Sequence, residues 1–186
     1  MDAFAYLSVL FSIIIGLSMT QILSGYRAAV LARRRVALHG PTLIWSGILL
    51  VIATQTWWAS FGLAHLQHWT FLLFAVLLGQ TVLLYMMAGL VLPDFPHGEK
   101  VSLEDHYRQH VTVFYLLLLA MLAASITKDV LLGGHLPGAA NLAFHGVLAA
   151  IAILALAIRK NWLHALIAPV VAVVILAYIT LLFARL

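Results

Sequence analysis

The run Asn141–Ile158, NLAFHGVLAAIAILALAI, is followed by Arg159, Lys160 and Asn161 and then by Trp162–Phe183, WLHALIAPVVAVVILAYITLLF. Each run is close to the ~20 apolar residues that cross a hydrocarbon core of ~30 Å as a helix. One unbroken helix over both would be far too long for a bilayer at ordinary tilt, and it would leave two cations near mid-membrane. The three polar residues therefore read as a tight turn between antiparallel spans, which makes the chain polytopic.

The same reading carried outward gives six spans, at about 3–24, 41–63, 70–92, 110–132, 141–158 and 162–183. The fold expected is an all-α transmembrane helical bundle forming a single domain over 1–186. Composition agrees: 186 residues are 65% hydrophobic and 9% charged, with a mean hydropathy of +1.09. A soluble globule needs far more charge on its surface, and a disordered chain far less apolar content. The absence of cysteine excludes disulfides, thiolate metal sites and thiol catalysis.

Ten Lys and Arg stand against six Asp and Glu, an excess that serves to orient spans rather than to bind nucleic acid. With the N-terminus outside, Arg27, Arg33, Arg34, Arg35, Lys100, Arg108, Arg159 and Lys160 fall inside, whereas Lys128 and Arg185 fall outside. The positive-inside rule thus places both termini outside and the 93–109 connection in the cytoplasm. Met1 and Asp2 lack a basic signal-peptide n-region, so the first span is expected to be retained. The 93–109 connection contains Asp94, Glu99, Glu104 and Asp105, and Ser102 with Asp105 resembles a capping box. A helix should start near Leu103 and run unbroken into the fourth span, with a solvated loop favoured over a docking surface.

Helices in lipid associate through small residues and interhelical hydrogen bonds. Ser8, Ser12, Gly16, Thr20 and Ser24 recur every fourth residue and form the expected packing stripe of the first helix, within the bundle or against a second copy. Gln21, Gln55 and Gln80 lie inside spans, where hydrocarbon cannot satisfy their amides, so each should face protein or water. Gln55, Gln80 and Tyr85, with Asp129 and His145 toward the outer end, are the candidates for a polar solute path. Lys128 and Asp129 are adjacent and so need not pair; Lys128 is expected to snorkel outward.

The doublet Trp57 and Trp58 reads as a membrane-boundary anchor or, as a sharper alternative, as the lining of an outer vestibule for a quinone-like ligand. Nine histidines include an outer group, His65, His68, His135 and His145, and an inner group, His39, His97, His106, His110 and His164. His110 and His164, at comparable depth, are the pair to consider for haem, but no metal motif is present and headgroup hydrogen bonding explains most of them equally well. The identity of any metal or cofactor therefore stays open.

The segments FSIIIGLSMTQILSG (11–25), QTWWASF (55–61) and DHYRQH (105–110) are similar to those of a group of small uncharacterised bacterial inner-membrane proteins with six spans. The resemblance implies a multi-pass protein of a bacterial inner membrane and transfers no activity. LSMTQIL (17–23) also echoes ASITKDV (124–130), which would fit two inverted halves of three spans each. Two functions are consistent with these features. One is a small solute or ion transporter or channel-like bundle. The other is a non-catalytic accessory subunit that packs, as a homo-oligomer or within a larger membrane complex, and binds quinone, haem or lipid. Paired carboxylates within the spans, a catalytic triad context and a phosphate-binding loop are all lacking, so an enzyme is the weakest reading.

Overall fold

In a bilayer every backbone donor must find its acceptor within the chain, and a helix does this within one segment. The computed structural model, which describes residues 3–66, 68–95 and 99–182, puts each apolar run in such a helix. Met1, Asp2, His97, Phe183 and Arg185 lie outside the described residues. The order is α1 (Ala3–Leu31), β1 (Val36–Ala37), α2 (Gly40–Ser60), a 3₁₀ helix (Phe61–His65), α3 (Phe71–Val91), β2 (Val101–Ser102), α4 (Leu103–Gly133), α5 (Ala139–Ala157) and α6 (Asn161–Leu182). Six helices are long and apolar enough to cross a membrane, so the chain is a six-span all-α bundle.

Local chemistry sets the helix ends. Pro41 sits in the first turn of α2, where its missing N–H costs nothing. Thr70 Oγ1 accepts from the Leu73 N–H at 3.2 Å, and Ser102 Oγ accepts from the Asp105 N–H at 3.2 Å. The latter cap starts α4 at Leu103, which then runs without interruption through the fourth span, as its sequence indicates. Gly134 ends α4 at φ 70°, in the left-handed region, and its N–H donates to the Val130 carbonyl at 2.8 Å. Residues 158–160 alone separate α5 from α6, so the tight turn is real. α1 continues past the expected end at residue 24 to Leu31. Tyr26 lies in these extra turns, and its hydroxyl, 2.8 Å from Ser46 Oγ, ties them to α2.

The helices close a ring in the order α1, α3, α4, α5, α6, α2, with α2 displaced inward so that it also touches α3 and α4. The extensive packing of α1 on α3 has no counterpart of similar extent between α4 and α6 among the described residues. The two halves are therefore not packed as inverted equivalents.

The sequence carries no signal for a short parallel pairing of β1 with β2, Val36 opposite Val101 and Ala37 opposite Ser102, which clips the connection after α1 to the one before α4. Val101 N–H donates to the Arg35 carbonyl at 2.9 Å. Asn161 Nδ2 donates to Glu104 Oε1 at 3.0 Å and Arg159 Nη2 to Thr112 Oγ1 at 2.9 Å, tying the α5–α6 turn to α4. The arginine triplet, Lys100, Arg108, Arg159 and Lys160 thus lie at one end of the bundle, the basic end.

Between this end and the middle of the bundle the interior is filled. Trp45 is fully buried, edge-on to Phe114 at 4.9 Å and to Tyr115 at 5.7 Å between ring centroids. Leu49, Leu84, Met87, Leu118, Ala168 and Val171 complete the plug.

The close approach in α1 is made at Gly25, not along the expected stripe. A Cβ on Gly25 would stand 2.6 Å from Leu92 Cδ1 and 3.0 Å from Leu92 Cβ, whereas one on Gly16 would meet nothing within 4 Å. Ser12, Gly16, Thr20 and Ser24 are exposed on the bundle exterior and Ser8 is half-buried. The buried positions, Phe11, Ile15, Ser18 and Ile22, alternate steps of three and four. Residues four apart precess by ~40° per step on a helix, so the stripe drifts off that face. Gly25→Leu is expected to cost about 1–3 kcal/mol by overpacking the α1–α3 contact. Gly16→Leu is expected to leave the thermal midpoint of the purified protein unchanged, and equal losses for the two would refute this packing.

Candidate functional site

In the half of the bundle away from the basic end, the ring encloses a cavity of about 130 Å³ to which all six helices contribute. Phe11 and Ile15 come from α1, Gln55 and Thr56 from α2, Gln80 and Thr81 from α3, Ser125 and Lys128 from α4, His145 from α5 and Tyr178 from α6. On α2, Ile52, Gln55, Thr56 and Ala59 share one face by helical spacing, and that face turns inward.

The wall formed by α4, α5 and α6 is a connected polar chain. Lys128 Nζ lies 3.1 Å from Asp129 Oδ1. Asn141 Nδ2 donates to Asp129 Oδ2 at 2.9 Å, and the Tyr178 hydroxyl donates to Asn141 Oδ1 at 3.3 Å. A carboxylate can only accept, which fixes the orientation of the Asn141 amide. His145 is 5% exposed, and its Nδ1 lies 2.9 Å from the Asn141 carbonyl. A carbonyl also only accepts, so Nδ1 carries a proton toward it, and the ring borders the cavity. Tyr178 stands edge-on to His145 at 5.8 Å and to Phe144 at 5.4 Å, which holds its ring upright against α5.

Of the path candidates, Gln55, Gln80 and His145 meet in this cavity. Asp129 stands behind its wall, holding Lys128 and Asn141. Lys128 and Asp129, as helix neighbours, need not pair, yet here they do, and the outward snorkelling expected of Lys128 is corrected. They form an ion pair, and Lys128 turns toward the cavity instead of snorkelling, because Asp129 and the polar lining offer its ammonium partners. Tyr85 is elsewhere, accepting from Gln21 Nε2 at 3.1 Å across the α1–α3 seam, an interhelical hydrogen bond of the kind expected for Gln21. Trp57 and Trp58 are 55% and 43% exposed and do not line the cavity. They flank a shallow exterior groove with Phe4, Ser8, Ser12 and Phe61, because the helical phase that turns Gln55 and Thr56 inward turns their neighbours out.

Ser125 and Tyr178 line the cavity and Asn141 braces its wall from behind, and the sequence named none of the three as a site candidate. Tyr178 could have been found as the aromatic hydroxyl deep in the last span. For Ser125 no signal separated it from the other small residues.

Among the described residues no three His, Asp or Glu side chains gather as a metal site. The imidazoles considered for haem do not face one another across a gap. His110 Nδ1 lies 2.9 Å from the His106 carbonyl and its ring lies against that of His106 at 4.4 Å, while His164 is held by Tyr107 at 2.9 Å. No protein-family model matches the chain, and no curated protein or solved structure is significantly similar to it, so its function rests on the geometry of the six-helix bundle itself.

Proposed function

We propose that this chain is a small solute carrier of a bacterial inner membrane, with its basic end in the cytoplasm and both termini outside. The observation that carries the reading is the cavity lined by Gln55, Gln80, Lys128 and His145, to which every helix contributes. Polar groups inside a membrane protein are costly unless they serve one another or a solute. Here they combine donors, acceptors and a cation around a volume that fits a small polar molecule. The plug from Leu49 to Val171 separates this cavity from the basic end. Passage therefore requires the helices to move relative to one another, as in alternating access, and not a standing pore. The positive-inside tendency supports the orientation, and the resemblance of residues 11–25, 55–61 and 105–110 supports the membrane.

The natural lack of cysteine makes the test direct, since any introduced thiol is the sole one. Ser125→Cys in proteoliposomes is expected to react with a membrane-impermeant methanethiosulfonate, and Leu118→Cys in the plug is not. A panel of amino acids, small carboxylates and monovalent cations is expected to yield flux for one class, blocked by labelling Ser125→Cys. Folded protein that moves no member of the panel would count against the proposal.

A second reading, an accessory subunit, draws on the outward-facing Ser12, Gly16, Thr20 and Ser24. Their exposure leaves them available to a neighbouring helix in the membrane. Cross-linking through cysteines at positions 12 and 16 in native membranes would support it, and purely monomeric protein would oppose it.

A further inference from the structure

We propose that the basic end carries a second site, separate from the central cavity, that binds a phosphate-type anion on Arg159 and Asn161. A pocket of about 230 Å³ opens there, bordered by His39, Glu104, Arg108, Arg159, Asn161 and His164. A water molecule's share of liquid volume is ~30 Å³, so this space admits a tetrahedral anion.

The charges do not cancel. Arg108 gives Nε and Nη2 to Glu104 Oε1 at 3.2 and 2.7 Å, and Asn161 Nδ2 donates to the same oxygen at 3.0 Å. Glu104 and Arg108 thereby neutralise each other. Arg159 donates to the neutral Thr112 hydroxyl at 2.9 Å and has no carboxylate within ion-pair distance among the described residues. A guanidinium has five N–H donors, so most of those on Arg159 remain for a ligand. His39 adds no positive charge at neutral pH. Burial, the largest influence on it, lowers its pKa despite the pull of Glu104. The start of α6 at Asn161 brings the positive end of a helix dipole to the same rim.

Arg159 is also positioned rather than merely present. The Ile158 carbonyl, one residue before it, lies 3.2 Å from His164 Nε2. That carbonyl can only accept, so Nε2 carries the proton and Nδ1 accepts from the Tyr107 hydroxyl at 2.9 Å. Tyr107 in turn accepts from the Tyr115 hydroxyl at 3.2 Å, and Tyr115 is fully buried. A directed chain of three hydrogen bonds thus reaches from the core to the backbone that presents Arg159. An arginine serving only to orient spans needs charge on one side and no such anchoring.

Free phosphate and the headgroup of an anionic lipid share this chemistry, and two probes separate them. Protein purified in a neutral maltoside is titrated with sodium phosphate against sodium chloride at equal ionic strength, and separately with dioctanoyl phosphatidylglycerol. Wild-type protein is expected to bind one or both, saturably. Saturation by phosphate alone identifies a free-anion site, and saturation by the lipid alone a headgroup site. Arg159→Gln is expected to weaken binding by at least about tenfold, the loss of one charge-assisted hydrogen bond. Arg159→Lys should retain part of the affinity, and this variant carries the test if Arg159→Gln does not fold. Lys160→Gln removes the neighbouring cation, which does not border the pocket, and should leave affinity unchanged. Wild-type protein that binds neither probe would overturn the proposal, as would equal losses in the Arg159 and Lys160 variants. Lys128→Gln, in the central cavity, is expected to leave this binding intact, so the result does not depend on the carrier reading.

Discussion

Trp45→Ala is expected to lower stability by about 2–3 kcal/mol, below the ~3–5 kcal/mol for truncating a buried large aromatic in a soluble core. Apolar transfer contributes little to that loss, since the bilayer is as apolar as the core. What disappears is dispersion contact with Phe114 and Tyr115, at centroid distances of 4.9 and 5.7 Å, and the void left in the plug cannot collapse against a ring of rigid helices. The indole N–H of Trp45 is buried near the Tyr107 and Tyr115 hydroxyls but meets neither in good hydrogen-bond geometry. Trp45→Phe keeps most of the ring contacts and removes this poorly satisfied donor, so it should cost far less than the alanine variant. Equilibrium unfolding in mixed micelles of dodecyl maltoside and dodecyl sulfate measures both. Equal losses for the two variants would show that packing at residue 45 is not what holds the plug.

Asp129→Ala is the second large effect. It strips the partner from Lys128 and from the Asn141 amide together, while both ion-pair side chains are largely withdrawn from solvent, at 20% and 22% exposed. Removing one member of a buried pair typically costs ~3–5 kcal/mol, and the residual exposure here reduces this to about 2–3 kcal/mol. The double variant Lys128→Met with Asp129→Leu leaves no uncompensated charge and is expected to recover part of the loss. The two single changes should therefore be strongly non-additive. Additive costs would mean that the ion pair carries little of the coupling. The same substitution frees Lys128 within the cavity, so thiol reactivity at Ser125→Cys should change with it.

Much of the architecture could be read from the residues. The turn at Arg159 and Lys160 separates α5 from α6 where expected, and the Ser102 hydroxyl caps α4 where its helix was expected to start. Gln55, Gln80 and His145, each flagged as a polar group within a span, line one cavity. What the residues left open shares one cause. Whether Trp57 and Trp58 anchor or line a vestibule, whether the Ser8 to Ser24 stripe packs within the bundle or against a second copy, and where Lys128 points each depend on the rotation of a helix about its own axis.

The number of spans, the turns between them and the grouping of basic connections at one end were determined by the chain itself, because a run of ~20 apolar residues has one low-energy state in lipid and charged turns cannot enter it. Which face of each helix turns inward was decided only by the assembled bundle. In water an amphipathic stripe announces the buried side, but these helices are apolar nearly all round and the bilayer does not distinguish leucine facing lipid from leucine facing protein. Inward faces are chosen by fit, as at Gly25 against Leu92, and by partners far apart in sequence, as with Asp129, Asn141 and Tyr178.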